Sequence, residues 1–112
     1  MKIYHNPRCS KSRQTLNLIK EAGKDVEIVE YLKNPPTADE LREVLRKLNL
    51  PVEYLIRKNE DIYKTQYKGK ELSEEEWIQA LVEHPKMLER PIVVEGDKAV
   101  LGRPPENVLK LL

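Results

Sequence analysis

The sequence is poor in several residue types, and each shortage excludes a class of protein. Cysteine occurs once, at Cys9, so the chain forms no internal disulfide, and we expect a reducing, cytoplasmic compartment. No run approaches the roughly 18 consecutive apolar residues of a membrane span, and the first ten residues lack the apolar segment of a secretory signal. The net charge of +1 gives no overall attraction to nucleic acid or to a membrane, so neither is an expected partner.

What remains is a charged but globular composition. Hydrophobic residues make up 39% and charged residues 35% of the 112 residues, a balance that is typical of a folded, well-solvated domain. The sequence shows no repeat, linker or low-complexity segment. We therefore expect one α/β domain over residues 1–112, with a modest hydrophobic core.

The first third of the chain predicts a βαβ unit. Residues 1–6 have a short strand pattern that Pro7 ends, and residues 10–22 carry apolar residues at helical spacing up to Gly23. Residues 26–32, "VEIVEYL", alternate as a second strand. A strand, a helix and a strand in this order imply that the two strands are parallel and close together in the sheet.

The rest of the chain predicts several helical segments followed by a ββα unit. Capping boxes at Thr37 and Ser73 mark two helix starts, a short helix follows Pro51, and residues 60–71 are polar enough to predict a loop. Residues 90–104 predict a hairpin that turns at residues 95–98. A last helix is expected to begin at Pro104. Three of its apolar residues are expected to pack inward: Val108, Leu109 and Leu112.

Cys9 is expected where the first strand passes into the first helix. Free backbone N–H groups and the positive end of the helix dipole lie at such a position, and both favour the thiolate. Arg8, Lys11 and Arg13 add positive charge, and such surroundings lower a cysteine pKa from about 8.5 toward 7 or below. A lone cysteine is otherwise often a small buried core residue. Its charged neighbours here favour a reactive nucleophile.

Ser12 and His5 are the nearest polar candidates to support a thiolate. Ser12 stands where a C-x-x-C motif would have its second cysteine; it can donate a hydrogen bond to sulfur but cannot resolve a mixed disulfide, so a redox cycle needs an external thiol. His5 could act as a cation or as a neutral hydrogen-bonding ring, or simply lie at the surface of a strand end. His84 is better explained by capping at a helix end, and the wide spacing of these residues predicts no metal site.

Three arginines occupy the ends of predicted elements. Arg57 follows apolar residues in "LIRKN", Arg90 precedes the third strand in "ERPIVV", and Arg103 follows the fourth strand in "LGRPP". Guanidinium groups bind oxyanions in a bidentate way that lysine does not match. If the three converge on Cys9, they form a cage for a tetrahedral oxyanion beside a thiolate. Taken singly, each is better explained by solvation or by helix capping.

Four segments in this order, "YHNPRCSKSR", "LIRKN", "EHPKMLERPIVV" and "LGRPPE", resemble the glutaredoxin-linked arsenate reductase family over nearly the whole chain. These ArsC-like proteins have a thioredoxin-like fold. The resemblance implies a four-stranded mixed sheet with a helical insertion between the βαβ unit and the C-terminal ββα unit. It also implies roles for seven residues: the nucleophile Cys9, its supports His5 and Ser12, the oxyanion-binding Arg57, Arg90 and Arg103, and the cis-proline Pro91.

The implied activity is the reduction of arsenate, or a similar oxyanion, to arsenite. No bound cofactor is expected; glutathione would be the co-substrate and glutaredoxin the protein partner. Two alternatives stay open: a glutathione-dependent thiol oxidoreductase of another substrate, and a binding protein similar to the Spx-type regulators that contact RNA polymerase. Ser12 removes the C-x-x-C switch of such regulators, and Arg103 supplies an oxyanion ligand that they would not require. Both features favour the enzyme.

Overall fold

The sheet has four strands and mixed direction, as expected. A computed structural model describes residues 1–112. Strand β1 (Lys2–His5), helix α1 (Ser10–Glu21) and strand β2 (Glu27–Glu30) form the βαβ unit, with β1 and β2 parallel. Strands β3 (Ile92–Glu95) and β4 (Lys98–Leu101) form the predicted antiparallel hairpin, and the order across the sheet is β2-β1-β3-β4.

The helical insertion between the two halves begins each of its longer helices at a capping box, as predicted. Helix α2 (Ala38–Leu48) starts after Thr37 and helix α4 (Glu74–Glu83) after Ser73, and both capping serine or threonine side chains accept the expected backbone N–H. Two 3₁₀ helices, Val52–Leu55 and Pro85–Met87, complete the insertion together with helix α3 (Asp61–Gln66). No helix has both the length and the hydropathy of a membrane-spanning segment.

The loop predicted at residues 60–71 is wrong over half of its length, because α3 occupies Asp61–Gln66. This helix has no fully buried residue, so its sequence carries little of the apolar spacing that predicts a helix. Ile62 and Tyr63 pack partly against the core instead, and the ring of Tyr63 stacks 6.3 Å from that of Trp77. Tertiary contact with α4 therefore supports a helix that its own pattern does not indicate.

Two apolar clusters cover opposite faces of the sheet, because side chains alternate along each strand. Ile3 and Val93 face α1 and the C-terminal helix in the smaller cluster. Tyr4 and Ile92 face the helical insertion in the larger cluster of 17 buried residues. The sheet thus lies between the helical insertion on one face and α1 with the C-terminal helix on the other.

The C-terminal helix is a 3₁₀ helix, Pro105–Leu111. The prediction that its apolar residues pack into the core is wrong for two of the three. Pro105 and Val108 are buried and Leu111 packs partly against the smaller cluster, whereas Leu109 is 54% and Leu112 37% exposed. Because a 3₁₀ helix has about three residues per turn, positions three apart share its inner face. The expectation of Leu109 and Leu112 in the core assumed the wider α-helical spacing.

The topology brings several chain segments to one edge of the sheet. Tyr4 of β1 pairs with Ile92 of the antiparallel β3, and Ile92 pairs with Leu101 of β4. The carboxyl end of β1, the amino end of β3 and the carboxyl end of β4 therefore meet at one edge. Cys9, Arg90 and Arg103 are placed beside one another by these three ends.

Candidate active site

Cys9 occupies the N-cap of α1. Its backbone is extended, with φ −90° and ψ 121°, and its carbonyl already accepts the backbone N–H of Arg13 at 3.0 Å. Its own N–H closes a turn on the carbonyl of Asn6 at 3.0 Å, so the loop from β1 is fixed on both sides. The first turn of α1 contains no acidic residue that would repel an anion. The sulfur is half-buried at the helix end, where unpaired N–H groups favour negative charge.

Two guanidinium groups lie beside the sulfur. Arg103 Nη1 is 3.9 Å from Cys9 Sγ and donates a 2.9 Å hydrogen bond to the main-chain oxygen of Arg90. The Arg90 side chain, which is only 14% exposed, also lies next to the sulfur and stabilises its negative charge. The structure thus brings Arg90 and Arg103 to Cys9.

The pKa of the Cys9 thiol is lowered from its ordinary value. Burial of the sulfur acts in the opposite direction and is the largest single influence. It is outweighed by the backbone N–H of Ser12 and by the positive charges of Arg90 and Arg103 together. The pKa of Arg90 is raised: burial opposes this, but the neighbouring Cys9 and Tyr31 outweigh it. The site therefore favours the thiolate, the reactive form of cysteine.

His5 and Ser12 contact each other rather than the sulfur. His5 Nδ1 and Ser12 Oγ are 2.6 Å apart, and Ser12 Oγ also accepts the backbone N–H of Asn6 at 3.1 Å. Burial lowers the pKa of His5. The Glu30 charge opposes this and the charges of Lys20 and Arg13 add to it, so the neutral ring is favoured. The hydroxyl, which the sequence suggested as a donor to the thiolate, thus braces the loop before Cys9. The backbone N–H of the same residue takes its place at the sulfur.

Arg57 pairs with two carboxylates and makes no hydrogen bond to the sulfur. Its Nη1 lies 3.2 Å from Glu89 Oε1 and its Nε lies 3.4 Å from Glu60 Oε1. The same Glu89 oxygen accepts the backbone N–H of Arg90 at 3.1 Å and lies 3.6 Å from Arg103 Nε. Glu89 therefore links all three arginines, and Arg57 joins the site through it.

The two loops that carry Arg90 and Arg103 are locked together beside α1. The Arg90–Pro91 and Arg103–Pro104 peptide bonds are both cis, and the N–H of Gly102 donates to the Pro91 carbonyl at 2.9 Å. A side chain at Gly102 would collide with Thr15 of α1 and with the Pro91 ring. Close backbone approach at this glycine fixes how near both loops stand to Cys9.

Sequence reasoning missed three residues of this site. Glu60 and Glu89 stand next to charged or polar residues in the chain, so each resembles an ordinary surface acid. Tyr31 belongs to the alternating strand pattern of residues 26–32 and has no other signal in the sequence, yet it is fully buried close to Arg90 and Cys9. The one available signal was position, because Tyr31 and Glu89 both border the strand ends where ligands of open α/β sheets collect.

Comparison with known proteins identifies the family. The model of the ArsC family matches residues 4–111. An arsenate reductase of Neisseria meningitidis is 42% identical over all of this chain and 97% of its own length, and an uncharacterized protein of Escherichia coli, YfgD, is 53% identical over all of this chain and 96% of its own. The solved arsenate reductase of Vibrio cholerae superimposes with a TM-score of 0.94 at 43% identity, covering 100% of this chain and 98% of that one. The chain, with its thioredoxin-like fold, therefore belongs to the ArsC family.

Proposed function

We propose that this protein is an arsenate reductase in which Cys9 is the nucleophile and glutathione, with glutaredoxin, supplies the electrons. The observation that carries the proposal is the approach of Arg103 Nη1 to within 3.9 Å of Cys9 Sγ, with Arg90 beside them. A thiolate next to two guanidiniums suits a reaction between sulfur and the centre of an oxyanion. The relatives named arsenate reductase support arsenate as that oxyanion.

In the first step, the Cys9 thiolate attacks arsenic(V) and forms a sulfur–arsenic bond. One arsenate oxygen leaves as water after it takes up protons, and the oxidation state of arsenic does not change. Arg90 and Arg103 hold the remaining oxygens and stabilise their charge as the arsenic geometry changes. Arg57, paired with Glu60 and Glu89, contributes from the outer side of this group.

In the second step, the glutathione thiolate attacks the Cys9 sulfur. A sulfur–sulfur bond forms, the sulfur–arsenic bond breaks, and its electron pair remains on arsenic, which leaves as arsenite. Cys9 is then a mixed disulfide with glutathione. Because Ser12 stands where a resolving cysteine would be, no internal thiol can release it. A glutaredoxin thiolate takes over the glutathione and restores the Cys9 thiolate.

The cycle requires a compartment that keeps thiols reduced. Each turnover oxidises Cys9 together with one glutathione. The cytosol is reducing enough to return glutathione and glutaredoxin to their thiol forms. We therefore place the reaction in the cytoplasm. His5 and Ser12 support the nucleophile indirectly in this scheme, by holding the loop that precedes Cys9.

The test is arsenate-dependent oxidation of NADPH, coupled through glutathione, glutaredoxin and glutathione reductase. The wild-type protein should consume NADPH in proportion to arsenate, and Cys9→Ser should abolish turnover while its circular dichroism and urea midpoint stay close to wild type. Lys24→Ala is the control for loss of a cation, since Lys24 is exposed and lies beyond the opposite end of α1. Turnover by Cys9→Ser would refute the nucleophile. A wild-type protein that forms a glutathione disulfide without consuming arsenate would favour the alternative of a thiol oxidoreductase with another substrate.

A further inference from the structure

Tyr31 carries a buried hydroxyl group that has no partner. The residue follows β2 directly, is 0% exposed, and its hydroxyl oxygen makes no hydrogen bond. Only one other buried side-chain atom shares this condition, and it is Nε of Arg90 at the site just described. Nearly all buried polar groups in folded proteins are hydrogen-bonded, so an orphaned pair of donors at one place requires a physical reason.

The hydroxyl lies at the same edge of the sheet as Cys9. His5 pairs with Glu30 at the end of the parallel register of β1 and β2, so Asn6 and Tyr31 are the residues that follow the two strands at that edge. Burial raises the pKa of Tyr31 and is the largest influence, and the Cys9 charge adds to the rise. The charge of Arg90, the Asn6 side chain and the charge of Arg57 oppose it. The phenol is therefore protonated at neutral pH and is available as a donor among the charges of the site.

No protein group satisfies this donor. The Asn6 side chain is close enough to the phenol to lower its pKa, but the two groups do not reach hydrogen-bonding geometry. The Oδ1 of Asn6 instead accepts the backbone N–H of Arg8 at 3.0 Å. The ring of Tyr31 packs within the larger apolar cluster, where phenylalanine would pack in the same way. The hydroxyl thus adds nothing to the folded core, and leaving it unpaired destabilises the fold.

We propose that the Tyr31 hydroxyl donates a hydrogen bond to a tetrahedral oxyanion bound beside Cys9, alongside Nε of Arg90. Such an anion presents several acceptor oxygens at once, so it can satisfy both orphaned donors while Arg103 holds another oxygen. The inference rests on the proposed function in taking an oxyanion as the ligand of this site. It does not require that the bound anion be reduced.

The experiment compares Tyr31→Phe with wild type and with Tyr54→Phe, a control at a tyrosine that is 56% exposed. Arsenate, phosphate and sulfate are each titrated as protectants against alkylation of Cys9 by iodoacetamide. Tyr31→Phe should raise the half-protecting concentration about tenfold, the lower end expected for one hydrogen bond to a charged group, and Tyr54→Phe should not change it. The urea midpoint of Tyr31→Phe should equal or exceed that of wild type, because an unpaired buried hydroxyl has been removed.

Four results would overturn the inference. The first is that every protecting anion protects Tyr31→Phe as well as it protects wild type, and the second is that none of the three anions protects wild type. The third is a lower urea midpoint for Tyr31→Phe. The fourth is a raised Cys9 pKa in that variant. The third would reveal a structural partner, and the fourth would assign the hydroxyl to the thiolate. Weakened protection in a protein that shows no arsenate-dependent NADPH oxidation would support the inference while refuting the proposed function.

Discussion

Replacing Arg103 with alanine should raise the pKa of the Cys9 thiol by about one unit. Two unit charges separated by the 3.9 Å between Nη1 and Sγ attract by about 1 kcal/mol in water and about 4 kcal/mol at an effective dielectric constant of 20. The Arg103 side chain is 35% exposed, so solvent screening places the value near the lower limit, at about 1–2 kcal/mol. Since one pKa unit corresponds to about 1.4 kcal/mol, the loss of this cation disfavours the thiolate by roughly one unit.

The assay is the ultraviolet absorbance of the thiolate as a function of pH, with Cys9→Ser as the blank, supported by the pH profile of iodoacetamide alkylation. Arg103→Gln, which keeps much of the length but removes the charge, should show the same rise. Arg13→Ala provides the control for a cation nearby that does not contact the sulfur. A Cys9 pKa that is unchanged in both Arg103 variants would refute the contact, and an equal rise in Arg13→Ala would attribute the effect to general positive charge instead.

Two other substitutions separate the roles of neighbouring groups. Ser12→Ala leaves the buried N–H of Asn6 unpaired, so the free energy of unfolding in urea should fall by about 1–3 kcal/mol. The Cys9 pKa should stay within a few tenths of a unit, because the backbone N–H of residue 12 remains at the sulfur. A rise in the Cys9 pKa as large as that in Arg103→Ala would contradict this assignment. Gly102→Ala places a Cβ 2.6 Å from Pro91 Cγ and in collision with Thr15, so overpacking should lower the free energy of unfolding by about 1–3 kcal/mol. An unchanged thermal midpoint would contradict the close approach of the Gly102 backbone to Thr15 and Pro91.

The helix starts could be predicted from sequence because their causes are local. Thr37 and Ser73 each cap a helix through a residue three positions away, so the signal lies within four residues of chain. Helix α3 could not be predicted in this way, because it is stabilised by partial packing against Trp77 rather than by its own apolar face. The position of the C-terminal helix was predicted correctly, but its type was not. It is a 3₁₀ helix, and the number of residues per turn decides which leucines face water.

The same distinction between local and long-range causes applies to the candidate site. Cys9 stands out in the sequence because its charged neighbours are adjacent to it in the chain. Whether the arginines approach it depends on the pairing of β1, β3 and β4, which brings together residues more than eighty positions apart. Glu89 could not be recognised in the sequence, because it accepts hydrogen bonds from Arg57 and from the Arg90 backbone and forms an ion pair with Arg103. Such a convergence exists only in the folded molecule.

The two carboxylates among the arginines have a consequence for how the protein meets its ligand. Three guanidiniums face Glu60, Glu89 and the Cys9 thiolate, so the formal charges of the site cancel. Arg57, Arg90 and Arg103 therefore contribute little to the long-range steering of anions, which is left to Arg8, Lys11 and Arg13 around the start of α1. Selection then begins only at contact, where an anion must match donors whose positions the folded loops have already set.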